Sequence, residues 1–234
     1  MQLNNSFGVI GALVALTLSL GVLQYNNTVK NNLPVTTEYG AWSGSGFFIN
    51  LNGYVATADH VVSDGKKFSV YYKHNFYDAH VIARDKVHDV AILKTNIKPS
   101  TYIPVTQIKY QGQKIGIYGY PLGTLKLTLT TGTQTYGGTT LKNVYTHAKS
   151  CHGNSGGPVI NQSGEAISLL NWGRTGLIDK PCSNEGGGPD IVYLIALAAK
   201  HGVALDRQYP GAKASFDYWY RLYNNTIVYI EGSN

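Results

Sequence analysis

The sequence predicts an all-β protein, a sandwich or closed barrels, for the chain that follows residue 41. The 18 tyrosines and 27 glycines among 234 residues favour strands and tight turns over helices. From Trp42 onward, short apolar stretches alternate with Gly, Asn and Pro, a pattern typical of such folds. Hydrophobic residues make up 43% of the chain and charged residues only 14%, which indicates a packed core and argues against disorder.

The individual elements follow from these apolar stretches. Nine strands are predicted, at residues 45–49, 53–58, 67–72, 79–83, 89–94, 114–120, 125–133, 157–160 and 166–172. A connector at 99–113 divides them into two groups. One short helix is predicted at 195–201, stopped by Gly202. Residues 205–234 form a tyrosine-rich extension of unknown role, which we expect to pack on the surface.

The N-terminus differs in character from the rest of the chain. Residues 7–23 carry no charge, and their length suits either a membrane-spanning anchor or a signal peptide. A buried core helix is the third alternative. We therefore predict an anchor or signal over 1–23 and a polar, asparagine-rich linker over 24–40. The remaining chain is expected to be exported, either membrane-anchored through this segment or secreted after its cleavage.

Charge and cysteine content restrict the possible partners. The formal net charge is +6, but the basic residues are scattered, so no nucleic-acid partner is predicted. Cys151 and Cys182 are the two cysteines of the chain, and in an exported protein such an isolated pair indicates a disulfide. Without CxxC spacing a zinc site is disfavoured, and neither a metal nor a cofactor is expected. The oligomeric state is left open.

The stretch CHGNSGGP at 151–158 is either a plain turn between strands or a loop that presents a nucleophile. A serine hydroxyl attacks a carbonyl when a histidine removes its proton and a carboxylate orients that histidine. The resulting oxyanion requires convergent backbone N–H groups. Gly153 allows the backbone to turn its N–H inward, so Gly153 and Ser155 are the candidate oxyanion donors.

Two residues earlier in the chain are candidate partners of Ser155. His60 stands at the end of an apolar strand pair joined by a turn at 52–53, which delivers one histidine to a defined place. Asp89 opens the apolar strand at 89–94, where a carboxylate is costly unless it is paired. Asp85 is the competing acid, but it lies in a charged turn and is expected to be solvated.

Four motifs in this order, GSGFFI, TADHVV, HDVAILK and GNSGGPVI, resemble the chymotrypsin-like serine peptidases, and among them the HtrA/DegP-like and bacterial or viral trypsin-like enzymes. The resemblance implies a double six-stranded β-barrel over 41–204, with the active site between the barrels. It further implies that His60 is the general base, Asp89 its orienting carboxylate and Ser155 the nucleophile. Gly153 with Ser155 would form the oxyanion hole.

The same resemblance suggests substrate-binding residues. Trp172 and Gly173 match the edge segment against which a substrate strand pairs. Lys149 stands six positions before the nucleophile, where a buried ammonium at the base of the specificity pocket would favour acidic side chains; the alternative is that Lys149 points to solvent, since this segment shifts in HtrA-like enzymes. His152 is placed at the rim of that pocket.

Two further features separate the chain from parts of the family. A disulfide between Cys151 and Cys182 would brace the specificity pocket as in animal-type enzymes. Asn154 stands where those enzymes carry the Asp that pairs with a new N-terminus, so zymogen activation of that kind is not expected. A PDZ domain is not expected either. The sequence thus predicts a serine endopeptidase acting on proteins or peptides, with a non-catalytic binding or chaperone-like module as the alternative.

Overall fold

The computed structural model describes residues 42–135, 143–173, 181–205 and 211–234. The predicted anchor at 1–23 and linker at 24–40 lie outside these residues. Among the helices of the described residues, none is long and apolar enough to cross a membrane.

Strands make up most of the described chain. In chain order they are β1 Trp42–Phe48, β2 Tyr54–Thr57, β3 Lys67–Tyr72, β4 Asn75–Asp85, β5 Val90–Thr95, β6 Lys114–Gly119, β7 Thr128–Thr135, β8 Asn143–His147, β9 Ser150–Cys151, β10 Pro158–Ile160, β11 Ala166–Leu169, β12 Trp172–Gly173, β13 Cys182–Ser183, β14 Gly186–Pro189 and β15 Ile227–Ser233. The helices are α1 Ile191–Lys200 and α2 Phe216–Tyr223, with a one-turn 3-10 helix at Asp59–Val62 and a tight turn at Pro121–Gly123. The predicted all-β class is confirmed.

Six strands close the first barrel in the order β1-β15-β3-β4-β5-β2, and every neighbouring pair is antiparallel. Alternation along β3 turns Phe68, Val70 and Tyr72 inward, whereas β5 is buried along nearly its whole length. Burying these apolar side chains against one another is the main force that holds such a barrel together. The barrel matches the six-stranded one that the resemblance implied.

The C-terminal strand corrects one expectation. The predicted surface extension at 205–234 is wrong for β15, which lies between β1 and β3 and completes the first barrel. Ile227, Val228, Tyr229 and Ile230 are all buried, because this strand is covered on both faces. A continuous apolar run of this kind is typical of a buried strand.

The second sheet has seven strands in the order β11-β10-β6-β7-β8-β14-β12. A bridge between Ser168 and Asp190 brings β11 next to the end of β14, which gives this sheet its barrel-like shape. The helix predicted at 195–201 begins earlier, at Ile191, because the Asp190 side chain accepts the Val192 N–H and caps it.

Candidate active site

His60 and Asp89 come from neighbouring parts of the first barrel. His60 lies on the 3-10 helix that follows β2, and Asp89 occupies the turn between β4 and β5. The Asp89 backbone has φ of +56°, in the left-handed region that Asp tolerates better than most residues. The Asp89 carboxylate accepts the His60 backbone N–H at 2.8 Å and faces the His60 Nδ1 atom at 2.8 Å. The structure therefore brings together two of the three predicted triad residues as a bonded pair.

Asp89 is held in its charged form by these neighbours. Burial alone would raise the pKa of the Asp89 carboxyl, but hydrogen bonds from the His60 ring and backbone, the charge of the imidazole and a hydrogen bond from the Asn171 side chain outweigh it. The net effect is a pKa below the ordinary value of Asp. A charged carboxylate stabilises a proton on the His60 Nδ1 atom, which leaves the Nε2 atom as the base.

Asn171 was missed by the sequence reasoning. It lies two residues after the end of β11, and its backbone N–H donates to the Gly187 carbonyl at 3.0 Å. In the sequence, Asn171 could have been recognised only as one polar residue between the apolar run at 166–170 and Trp172.

Asp85, the competing acid, serves another histidine. Its carboxylate faces the His88 Nδ1 atom at 2.7 Å and accepts the backbone N–H groups of Val87 and His88. The His88 ring stacks on Tyr193 of α1, with centroids 3.6 Å apart. The sequence suggested that Asp85 is solvated, but its carboxylate is paired with His88. This pairing leaves Asp89 as the partner of His60.

The nucleophile loop, residues 151–158, contains two consecutive tight turns, the second closed by the bond from the Gly157 N–H to the Asn154 carbonyl at 2.9 Å. The Asn154 N–H donates to the Cys151 carbonyl at 3.1 Å, and Gly153 has φ of +89°. A Cβ at Gly153 would lie 2.5 Å from the Tyr120 carbonyl oxygen, so only glycine fits. Ser155 is half-buried, and its role as nucleophile stays a prediction.

Ser45 connects the first barrel to this loop. The Ser45 N–H donates to the Ser155 carbonyl at 2.7 Å, and the Ser45 hydroxyl donates to the Gly153 carbonyl at 2.7 Å. The same hydroxyl accepts the Tyr120 N–H at 2.9 Å. Ser45 was also missed as a site residue, although it stands between two glycines in the GSGFFI motif.

The predicted disulfide is present between Cys151 and Cys182. These residues lie directly opposite each other in the β9–β13 pair, where their Cα atoms are 3.9 Å apart. The His152 N–H donates to the Pro181 carbonyl at 2.9 Å beside the bridge. The bridge and this bond tie the start of the nucleophile loop to the segment that precedes β14.

The predicted substrate-binding residues lie on β12, in the nucleophile loop and just before β9. Trp172 and Gly173 form β12, an edge strand whose backbone pairs with Gly186 and Gly187 of β14. His152 is exposed at the turn of the nucleophile loop. Lys149 is exposed as well, and its carbonyl accepts the Thr130 hydroxyl at 2.7 Å. The Lys149 ammonium is thus not the floor of a buried pocket.

The chain is similar in sequence to known serine proteases. A probable periplasmic serine endoprotease, DegP-like, of Rhizobium meliloti is 35% identical over 136 residues, which cover 54% of this chain and 27% of that protein. The serine protease HTRA1 of Xenopus tropicalis is 33% identical over 146 residues, covering 56% of this chain and 32% of that protein. The chain thus spans about a third or less of the length of these relatives.

Solved structures give the same fold. The HtrA-type protease AlgW with decapeptide superposes with a TM-score of 0.60 at 21% identity, over 68% of this chain and 52% of that one. The model of the trypsin-like peptidase domain matches residues 44–169, more than half of the chain. The protein therefore belongs to the trypsin-like peptidase domain family.

Proposed function

We propose that the protein is a serine endopeptidase that hydrolyses peptide bonds in protein substrates through His60, Asp89 and Ser155. The observation that carries this proposal is the double engagement of Asp89, which binds both the ring and the backbone N–H of His60. A merely structural histidine does not require a partly buried carboxylate that fixes its ring and its main chain together. The relatives named above are proteases of this kind.

The reaction follows from the proton on the His60 Nδ1 atom. While the Nδ1–H group donates a hydrogen bond to the Asp89 carboxylate, the Nε2 lone pair takes the Ser155 Oγ proton as Oγ attacks the substrate carbonyl carbon. The carbonyl oxygen becomes an oxyanion, which the N–H groups of Gly153 and Ser155 stabilise. The Nε2 proton then passes to the leaving amine nitrogen as the C–N bond breaks, which leaves an acyl-enzyme ester on Ser155. A water molecule, deprotonated by Nε2, hydrolyses the ester and restores the hydroxyl.

The substrate enters as an extended strand. β12 is the last strand of its sheet, so the described order leaves the edge opposite β14 for an added strand. Main-chain hydrogen bonds to such an edge bind a peptide regardless of most of its side chains. The decapeptide in the AlgW structure supports a peptide ligand for this chain.

An exported location fits these observations. The Cys151–Cys182 disulfide is stable in oxidising compartments, and the Rhizobium meliloti relative is named as periplasmic. We propose that the catalytic domain acts outside the cytoplasm. Attachment to a membrane through residues 1–23 remains part of the same proposal.

The decisive experiment is labelling with a fluorophosphonate, which phosphonylates an activated serine. The wild-type chain should label, and Ser155→Ala should not. Ser163→Ala, in the turn between β10 and β11, serves as the matched control and should label like the wild type. Circular dichroism verifies that each variant is folded.

Failure has a definite meaning in this design. A folded wild-type chain that neither labels nor cleaves casein would refute the endopeptidase and favour a non-catalytic binding module. Labelling that persists in Ser155→Ala would show that a residue other than Ser155 is the nucleophile.

A further inference from the structure

The turn at the start of the nucleophile loop has two possible orientations of its central peptide. Residues 151–154 form a β-turn closed by the bond from the Asn154 N–H to the Cys151 carbonyl at 3.1 Å. The φ of +89° at Gly153 is typical of the third residue of a type II turn, whereas a type I turn has φ of about −90° at that residue. The two types differ by a flip of the peptide between His152 and Gly153. That peptide carries one of the proposed oxyanion donors.

One hydrogen bond from outside the loop fixes this orientation. The Leu122 N–H donates to the His152 carbonyl at 2.6 Å. In a trans peptide the C=O and the following N–H point in opposite directions, so the Gly153 N–H points away from Leu122. After a flip the His152 carbonyl would take the place of the N–H donor, and it would repel an oxyanion instead of binding it.

Leu122 adopts an unusual backbone conformation to make this bond. Its φ of 59° and ψ of 30° lie in the left-handed region, which is costly for a leucine. Leu122 is 53% exposed, so burial of this residue does not account for the conformation. What the conformation does deliver is an N–H group directed at the His152 carbonyl.

The residues around Leu122 hold it in place. On one side, the Tyr120 N–H donates to the Ser45 hydroxyl at 2.9 Å, and that hydroxyl donates to the Gly153 carbonyl. On the other side, the Thr124 hydroxyl donates to the Pro121 carbonyl at 2.9 Å. The 120–124 turn is therefore anchored to Ser45 at its start and closed on itself at its end.

We propose that Leu122 is a positioning residue for the oxyanion hole: its backbone N–H holds the His152–Gly153 peptide in the orientation that directs the Gly153 N–H at the substrate oxyanion. This inference rests on the proposed peptidase function. It assigns the role to the backbone of Leu122 rather than to its side chain. Leu122 acts through Gly153 and does not itself contact the reacting atoms.

The test is Leu122→Pro, which removes the N–H and excludes positive φ. In the full chain, kcat for a peptide substrate should fall by about 10²- to 10³-fold, the loss typical of one oxyanion donor. KM should change little, because strand pairing at β12 is untouched. Affinity for a peptidyl aldehyde, whose adduct with Ser155 carries an oxyanion, should fall in parallel with kcat. Affinity for the corresponding product peptide should not change.

Two variants separate positioning from damage to the fold. Leu122→Gly keeps the N–H and accepts positive φ, so it should restore most of the kcat lost in Leu122→Pro. Lys73→Pro is the matched control, since Lys73 also has positive φ, at 47°, in the β3–β4 turn. It should lower thermal stability without the selective loss of aldehyde affinity.

If Leu122→Pro fails to fold, replacing Leu122 with its α-hydroxy analogue deletes only the N–H and should lower kcat about tenfold, as expected for one lost hydrogen bond. Unchanged kcat and aldehyde affinity in a folded Leu122→Pro or in the hydroxy analogue would overturn the inference. An inactive wild-type chain would instead refute the proposed function itself, so the two failures are distinguishable.

Discussion

At the scale of single residues, Asp85 at the end of β4 and Asp89 in the turn before β5 are both engaged with histidines. Burial raises the pKa of the Asp85 carboxyl, but hydrogen bonds from His88 and Val87 and the charge of His88 outweigh it, so the pKa is lowered. The same balance lowers the pKa of Asp89 through His60. Each carboxyl therefore binds its proton less tightly in the folded chain than in the unfolded chain.

The sign of the pH dependence follows from these lowered values. Their stabilisation is fully present above the unfolded pKa of Asp, about 3.9, and it is lost as the pH falls through the lower folded values. Asp85→Asn should therefore lower the free energy of unfolding at pH 6 and flatten its decline below pH of about 4. Urea unfolding between pH 2 and pH 6 measures this.

Asp78→Asn removes an exposed carboxylate from β4, the strand that also contains Asp85, and is the control for loss of charge alone. It should leave the decline of the free energy of unfolding at acid pH close to that of the wild type. An acid decline in Asp85→Asn as steep as in the wild type would show that the His88 pair does not contribute.

At the scale of elements, hydrogen bonds from Arg84 and Trp42 hold the 3-10 helix that carries His60; we call this pair of contacts the clamp. Arg84 of β4 donates through Nε and Nη2 to both carboxylate oxygens of Asp59, the residue before His60. The Trp42 indole N–H donates to the Val61 carbonyl at 2.9 Å on the other side. A bidentate Arg–carboxylate pair has fixed geometry, so it transmits the position of β4 to the His60 backbone.

Arg84→Met tests this clamp. The Asp59 side chain is only 9% exposed, so removing Arg84 leaves a buried carboxylate unpaired, which typically costs about 3–5 kcal/mol. We expect lower stability and a lower kcat with little change in KM, because the position of His60 loosens while peptide binding is retained. Arg221→Met on the exposed face of α2 is the matched control.

A double-mutant cycle with Asp59→Asn measures the coupling. Asp59→Asn in the Arg84→Met background should recover part of the lost kcat and stability, because the buried charge is gone. Strictly additive effects of the two substitutions on kcat would contradict a clamp that acts through the Asp59–Arg84 pair.

At the scale of the whole molecule, the sequence predicted what is local and missed what is distant. The order and spacing of the motifs around His60, Asp89 and Ser155 are visible in the chain, and so are most strands. The pairing of β15 with β1 and β3 joins residues as far apart as Trp42 and Gly232, and no local pattern specifies such partners. The left-handed backbone of Leu122 was equally hidden, since leucine is not a residue that signals positive φ.

The place of β15 makes the first barrel dependent on residues far from the catalytic histidine in sequence. β15 contributes four buried apolar residues and backbone pairing on both edges, and the Ser233 carbonyl accepts the Lys66 N–H at 3.0 Å close to the His60 helix. Without it, β1 and β3 become unpaired edges and the barrel opens. The position of His60 therefore depends on a strand that carries no proposed catalytic residue.

A chain ending at Asn225 should accordingly lose fluorophosphonate labelling, although it retains His60, Asp89 and Ser155. A synthetic peptide of residues 226–234, added during refolding, should restore labelling by strand addition, as extended peptides do at exposed sheet edges. The same peptide with Ile230→Asp should not restore labelling, because it would bury an unpaired charge in the barrel. The peptide with Ser233→Asp is altered at an exposed position and should restore labelling. Full labelling of the shortened chain without any peptide would show that the remaining five strands position His60 on their own.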